Sequence, residues 1–391
     1  MGLFLRPKPP VESRSWPLSS LEGIVTMLAS AGGRSVSIEE SLRASAVWAC
    51  LRVLAGSASM LPVDVVRYQG RSRLPVDPQP SMVAEPSALV ERDVWVHQIV
   101  WSMFTDGNAF GLITGVGADA RPTFIETVHP TQVTERKVVD GMPQAKVDGT
   151  VHKLYPYGDL WHVPGPMVPA GSPWGLSPVQ HGATGIRAAL AAELFGADFF
   201  ADGAHPSSIV YSDEKLTPDQ AAGIKASIVK LYRGNREPAV LGSGLKWEKV
   251  TVDPDDSQFI ELLRFEVENQ CRFFGVPPSM VYGAVSGQSV TYANVSQADL
   301  HYLKHSLEVP VGRLERAWSR LIPRPQMVRL NRDALLRSDA LTRWQVYKTR
   351  LDAKTITVNQ VRALEDEPPF TDPAYDEPGI PGGPTPEVPI P

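Results

Sequence analysis

Several groups of side chains in this sequence have types and spacings that invite chemistry. Asp253, Asp255 and Asp256 crowd into four positions, where carboxylates could share a cation, yet Asp255 or Asp256 also stands where a helix N-cap belongs. Eight histidines, His97, His129, His152, His162 and His301 among them, lack metal-ligand spacing and read as interior or turn residues. Cys50 and Cys271 fall in apolar helical patterns and are expected as buried free thiols. Gly115-Val-Gly117 is a fragment of a glycine motif set in a hairpin turn. There is no Walker A sequence, so the chain is not expected to be a nucleotide-driven motor, and no G-x-S-x-G, H-E-x-x-H or EF-hand spacing occurs. The basic run Arg313, Arg316, Arg320, Arg324, Arg329, Arg332 and Arg337 reads first as ion pairing with Glu308, Glu315 or a neighbouring subunit, and only second as a DNA contact.

The elements that must carry these residues are helical at both ends and sheet-like between. The 391 residues permit two or three domains, and a net charge of −5 does not advertise tight nucleic-acid binding. No apolar run is long enough for a bilayer, and MGLFLRPKPP is too short for a signal peptide, so cytosolic synthesis in a reducing compartment is expected. Arg6 stands where a myristoylation signal beginning at Gly2 wants Ser or Thr.

Residues 1–36 read as a mobile arm. The spacing of Leu42, Ala46, Cys50, Val53, Ser57 and Met60 predicts a helix that Pro62 stops. A strand at 63–68, a helix at 91–105 and strands at 109–114, 123–128, 132–139, 145–147 and 160–163 complete an α+β unit. Ser177-Pro178 opens a helix ending at Gly203, and residues 255–275 make a second; a small α/β unit at 205–254 separates them. A helix over about 293–321 bent at Pro310, a returning strand at 326–331, helices at 338–350 and 357–364, and a proline-rich tail with too little apolar content to fold complete the chain.

Residues 274–300 read FGVPPSMVYGAVSGQSVTYANVSQADL, with no charge between Arg272 and Asp299. Together with TDGNAFGLI (105–113), ETVHPTQVT (126–134), DLWHVPG (159–165) leading to WGLSPVQ (174–180), FFADGAHPSSIV (199–210), RDALLRSDALTRWQVY (332–347) and TVNQVRALEDEPP (357–369), this stretch resembles the portal proteins of tailed bacteriophages, the HK97-like group. Asp202 stands where that family commonly has Asn. Each signature is weak alone, since Gly and Pro at turns are commonplace. In register across roughly 37–370 they are strong.

The resemblance implies a portal fold with an α/β wing (37–176 with 293–335), a two-helix stem (177–204 and 255–275), a small α/β clip (205–254), a tunnel loop (276–292), a short helical crown (336–370) and a disordered tail (371–391). It implies a non-enzymatic ring of twelve subunits at one capsid vertex, needing no cofactor or metal. Implied partners are the terminase large subunit, a head–tail adaptor, the major capsid or scaffold protein and double-stranded DNA, with no membrane, in the virion and, during assembly, the host cytoplasm. Val285, Ser286, Gly287, Gln288, Ser289 and Val290 would face DNA. Of the acids around the stem, Glu193, Asp198, Asp202, Glu261 and Glu268 would line the bore and repel phosphates, with Asp255, Asp256 and Glu266 nearby and Arg187, Arg264 and Arg272 opposing them. Trp95, Trp101 and Trp174 would pack the wing core or a subunit boundary. The competing readings are a head-morphogenesis hydrolase or nuclease and a DNA-binding protein.

Overall fold

Trp95, Trp161 and Trp318 stack at the centre of the main core, their ring centroids 5.4 Å (Trp95 to Trp161) and 4.8 Å (Trp95 to Trp318) apart. Each indole N–H donates to a backbone carbonyl: Trp95 to Ile125 (2.8 Å), Trp161 to Ala317 (3.2 Å) and Trp318 to Met82 (3.2 Å). Bulky rings can fill a core this way because their one polar handle is satisfied. In this computed structural model the described residues are 35–70, 72–201, 208–212, 223, 245–249, 256–281, 298, 300–332, 340–365 and 367–378.

The first helical region divides into α1 (Ile38–Ser41) and α2 (Ser45–Ser59). The expected single helix breaks at residues 42–44, because Ser37 caps a short turn and Ala44 adopts an extended conformation. The inward face of α2 is Val47, Cys50, Leu51, Leu54, Ala55 and Ala58, whereas Met60, expected on the stripe, is 77% exposed beyond the helix end. Strand β1 (Val63–Gln69) pairs with β2 (Ser72–Pro75), which lies in a stretch expected to be loop, and helix α3 (Ser81–Ala84) follows. Helix α4 (Arg92–Thr105) buries Trp95, Ile99 and Met103.

Two small antiparallel sheets come next. One is ordered β4 (Pro122–Val128), β3 (Asn108–Val116), β8 (Leu160–Pro164). The other is ordered β5 (Val133–Val139), β6 (Met142–Val147), β7 (Thr150–Lys153), the last unforeseen. Phe110, Val133, Ala145, Val147, Leu154 and Leu160 form a second core that involves strands of both sheets.

Helix α5 (Pro178–His181) and helix α6 (Ala183–Ala201) replace one expected rod, with Gly182 between them. Strands β9 (Ser208–Ser212) and β10 (Leu245–Lys249) pair antiparallel; the expected helix near 217 and the strand at 239–241 lie outside the described residues. Helix α7 (Asp256–Phe274) ends at Gly275, whose φ of +69° suits glycine at a left-handed C-terminal position.

Beyond it, a π-helical turn at Leu303–Leu307 leads into α8 (Glu308–Ser319). Pro310 has no N–H to give the carbonyl four residues back, Ser306, so the widened turn before it is the local answer to that missing bond. The returning strand β11 (Gln326–Leu330) pairs antiparallel with β1 at the opposite end of the chain, Val63 facing Leu330. Helices α9 (Ala340–Asp352) and α10 (Val358–Leu364) build a separate cluster on Tyr347, Ile356 and Val361. The tail is ordered further than its composition suggests: Pro373–Asp376 forms a 3-10 turn, and Asn359 bonds to Phe370 (3.1 Å from the carbonyl) and to Asp376 (2.9 Å).

Candidate functional site

Helices α6 and α7 lie side by side and antiparallel. Gly182, before α6, sits beside Phe273 near the end of α7, while Gly185 faces Asn269 one turn earlier. A Cβ on Gly185 would meet the Asn269 amide nitrogen at 2.6 Å, so the small residue lets the helices approach. Val179, Ala183, Ile186, Cys271 and Phe274 root this end in the main core. Cys50 of α2 and Cys271 lie with their sulfurs 4.0 Å apart, both buried as free thiols, and the hydrogen bond between them, with burial adding, holds the Cys50 thiol far above its ordinary pKa. Toward the other end the pair opens to solvent: Leu194 is 53% and Phe265 50% exposed, with Glu261 and Arg264 also exposed.

The root is held by a knot of backbone contacts. Gly107 has φ +82°, and a Cβ there would land 2.4 Å from the Leu176 carbonyl carbon. A Cβ on Gly175 would fall 2.1 Å from the Gly107 oxygen, which already accepts the Gly165 N–H at 2.7 Å. The fully buried Asn108 serves both sides. Its Oδ1 accepts the Gly175 N–H (2.7 Å) and the His162 Nε2–H (3.0 Å), while its Nδ2 donates to the Gly175 carbonyl (3.0 Å). Ser177 donates to the Thr105 carbonyl (2.6 Å) and accepts the Gln180 N–H (3.1 Å), tying the start of α5 to the end of α4. His162 stacks on Phe110 and meets Trp174 edge-on. Burial, with Arg136 adding, pushes its pKa down to about 3, so the ring is neutral. Asp106 pairs with Arg136 at 2.6 Å, yet burial outweighs that partner and raises its pKa. These roles were not read from the sequence: Gly107-Asn108 and Trp174-Gly175 were noted as separate signatures, and only the fold shows that they bond to each other.

The acids expected to face DNA are not alike. Glu193 accepts from the Ser45 hydroxyl (2.6 Å) and backbone N–H (3.3 Å), capping the N-terminus of α2 where Ala44 cannot. Glu268 pairs with Arg272 at 3.4 Å, one turn along α7, both well exposed. Glu261 is exposed at the projecting end. Glu266 turns inward, 7% exposed, and burial raises its pKa. Asp198 lies on α6 with its backbone described; Asp202, Asp255 and the loop residues Val285, Ser286, Gly287, Gln288, Ser289 and Val290 lie outside the described residues, and Asp256 opens α7.

Trp95 belongs to the core, as does the Phe110–His162–Trp174 cluster to its neighbour, and Trp101 lies against His129. The basic run divides. Arg332 bonds Glu308 and Glu315, both at 2.6 Å, and Arg329 approaches Glu315 at 3.9 Å. Arg313, Arg316 and Arg320 make no ion pair among the described residues; Arg313 instead donates to the Gly165 carbonyl.

Among the described residues no group of three or more His, Cys, Asp or Glu side chains is placed to hold a metal ion. What the chain offers is a mixed helix–sheet scaffold with an antiparallel helix pair, α6 and α7, rooted at one end in its main core. Residues 45–366 match the family described as phage portal protein, and the chain belongs to that family. It is 28% identical over 385 residues to the probable portal protein of Streptomyces phage phiC31, covering 93% of this chain and 83% of that one. It is 26% identical over 361 residues to the portal protein of Enterobacteria phage HK97, covering 87% and 82%. A chain from the neck of a native gene transfer agent particle, computed with C12 symmetry, superposes with TM-score 0.56 at 18% identity, covering 90% of this chain and 100% of that one. An HK97-family phage portal protein from Corynebacterium diphtheriae gives TM-score 0.55 at 14% identity, covering 77% and 98%. The mixed architecture is that of the portal structures, and none of these names is an enzyme's.

Proposed function

We propose that twelve copies of this chain form a ring at one capsid vertex, a structural conduit through which double-stranded DNA enters during packaging and leaves on ejection. The twelvefold count is carried over from the related neck computed with C12 symmetry. In this reading α6 and α7 are the stem, β9 and β10 belong to the clip, the sheets with α8 are the wing, and α9 with α10 are the crown. The clip docks the terminase large subunit and then a head–tail adaptor, while the wing meets capsid or scaffold protein. The neutral 276–292 loop touches the moving duplex, and Glu261, Glu268, Asp198 and Asp202 supply negative charge around it. A conduit must not grip, because every phosphate neutralised by Lys or Arg adds affinity.

The observation carrying this reading is the projecting end of the helix pair. Leu194, Phe265 and, on neighbouring α2, Trp48 (57% exposed) leave large apolar surface in water. Such surface is stable when another copy covers it. Glu193 also has a task of its own, fixing the start of α2 to α6 through Ser45.

Negative-stain microscopy of the purified full chain tests this. Rings with a central hole are expected; solid particles of one or two copies at micromolar concentration would overturn it. Weak duplex retention on filters at about 0.1 M salt is the companion expectation, and tight binding with a steep salt slope would favour a DNA-binding protein instead.

A further inference from the structure

Beside Arg313, Arg316 and Arg320, which make no ion pair among the described residues, lies a groove of about 520 Å³. Arg313 and Arg316 of α8 with Arg320, the residue that caps its C-terminus, form one wall, at the i, i+3, i+7 spacing that places them on one face. Tyr155, Tyr157 and Trp161 contribute aromatic surface, with prolines at the rim. Trp161 is fixed, 3% exposed and hydrogen-bonded to Ala317, whereas Tyr157 is 67% exposed. The acids on the same helix, Glu308 and Glu315, are committed to Arg332, with Arg329 near Glu315. Burial, with Arg316 adding, lowers the Arg313 pKa.

The chain itself carries a segment of complementary chemistry. Residues 379–391 read GIPGGPTPEVPIP. Pro378, Pro381 and Pro384 recur every three residues, as do Pro386 and Pro389, with Glu387 between the last two. Three is the repeat of the polyproline II helix, so each proline row presents one face. Aromatic-lined grooves recognise that shape because the peptide is already extended and loses little entropy on docking. A carboxylate set between such prolines can meet a guanidinium through two parallel hydrogen bonds. Thirteen residues in this conformation reach roughly 40 Å.

We infer that the groove between Trp161 and the arginine face of α8 is a docking slot for the proline-rich segment 379–391, with its prolines on the tyrosines and Glu387 on the arginines. The volume falls within the about 300–1,000 Å³ typical of small-ligand recesses, enough for the few residues around Glu387 with the rest of the segment lying outside the recess. A recess walled by aromatic rings and prolines suits a thin extended chain better than the convex backbone of a duplex.

The test uses the full-length protein with photoreactive p-benzoylphenylalanine placed at Val388. After irradiation and proteolysis, adducts are expected within residues 154–161 or 312–320, whether formed within one chain or between two copies. Glu387→Lys should lower their yield by at least about fivefold, as should Arg316→Glu with Arg320→Glu. Combining that double reversal with Glu387→Arg should restore it. Adducts elsewhere, no adducts, or yields indifferent to the reversals would overturn the inference, as would loss of adducts on adding duplex DNA with no response to Glu387→Lys. If the double arginine variant does not fold by circular dichroism, the Glu387→Lys arm decides alone.

Discussion

The two ends of the α6–α7 pair are built on opposite principles. At the rooted end, position is set by backbone: glycines at Gly107 and Gly175 pack against carbonyls, Asn108 bridges two segments, and Cys271 and Phe274 sit in the main core. Toward the other end, Glu261, Arg264, Phe265 and Leu194 face solvent, and the described ion pair on α7, the exposed Glu268–Arg272 contact, lies on the outer side of the rooted end. Evolution of a conduit needs both. In the proposed conduit the base would hold its angle against a passing polymer, whereas the surface near that polymer would offer it nothing to hold. Changes at the base should therefore register as stability, and changes at the tip as transport.

The sharpest break in that contrast is Gly175→Ala. The added methyl would stand 2.1 Å from the Gly107 oxygen, a backbone atom whose own position is fixed by the Gly165 N–H. No side chain can swing away, so the loss should be about 3 kcal/mol or more. A urea titration of the purified variant checks this, and the expected outcome is poor solubility or a midpoint moved far toward zero denaturant. A midpoint matching the parent would show that the base is not held as described.

At the other end, deleting residues 283–289 should leave rings visible by microscopy and thermal stability unchanged, while packaged-DNA yield falls. Normal particle yields would remove the loop from the transport path. The pairing of this deletion with Gly175→Ala is informative because each should move only one of the two readouts.

Acid provides a smaller effect, confined to the base. His162 is held neutral by burial and by Arg136, its pKa pushed down to about 3 from 6.5. A depressed histidine gives stability that is complete above the unfolded pKa and is lost as pH falls through the interval from about 6.5 to about 3. The slope approaches about 1.4 kcal/mol per pH unit there. Asp106, raised by burial, works in the opposite direction where it takes up its proton, so the His162 contribution is read as the difference between parent and His162→Gln. That variant can still donate to Asn108 and should show a flatter loss of stability between pH 6 and 4 by chemical denaturation, as an estimate from the same linkage. Parallel curves would show that the imidazole takes up its proton without cost.

How legible these ends were in the sequence follows from the range of the forces that set them. Ser177-Pro178 marked a helix start because capping is local, and Ser177 does cap. The break at Gly182 was missed because one helical turn and its successor share the same apolar periodicity. Strand β11 was visible as a strand by composition, but its partner β1 lies more than 250 positions away and leaves no local trace. The arginine run illustrates the same limit at one site. Pairing with Glu308, Glu315 or a neighbouring subunit was expected for the run, but two carboxylates cannot serve seven guanidiniums, and which arginines they serve depends on where β11 returns. Glu193 was grouped with acids facing DNA because its helix position alone cannot reveal Ser45, 148 residues distant, as its partner.

That distinction sets the last and smallest expected effect. Glu261→Gln with Glu268→Gln removes two exposed charges of which one has a partner, Arg272, itself exposed. Exposed pairs contribute little, so the midpoint of unfolding should shift by less than about 0.5 kcal/mol. Transport should respond in a way that depends on salt. Repulsion from an acidic wall extends roughly 30 Å at 0.01 M ionic strength but only about 8 Å at 0.15 M. The double variant should therefore package less DNA than the parent at low salt and match it at high salt. Equal packaging at low salt would mean that these two carboxylates do not face the duplex, and Asp198 and Asp202 would then have to carry the negative charge of the stem. Glu193→Gln supplies the control within the same helix pair. Its carboxylate caps α2, so its loss should cost about 1 kcal/mol of stability with no salt-dependent change in packaging.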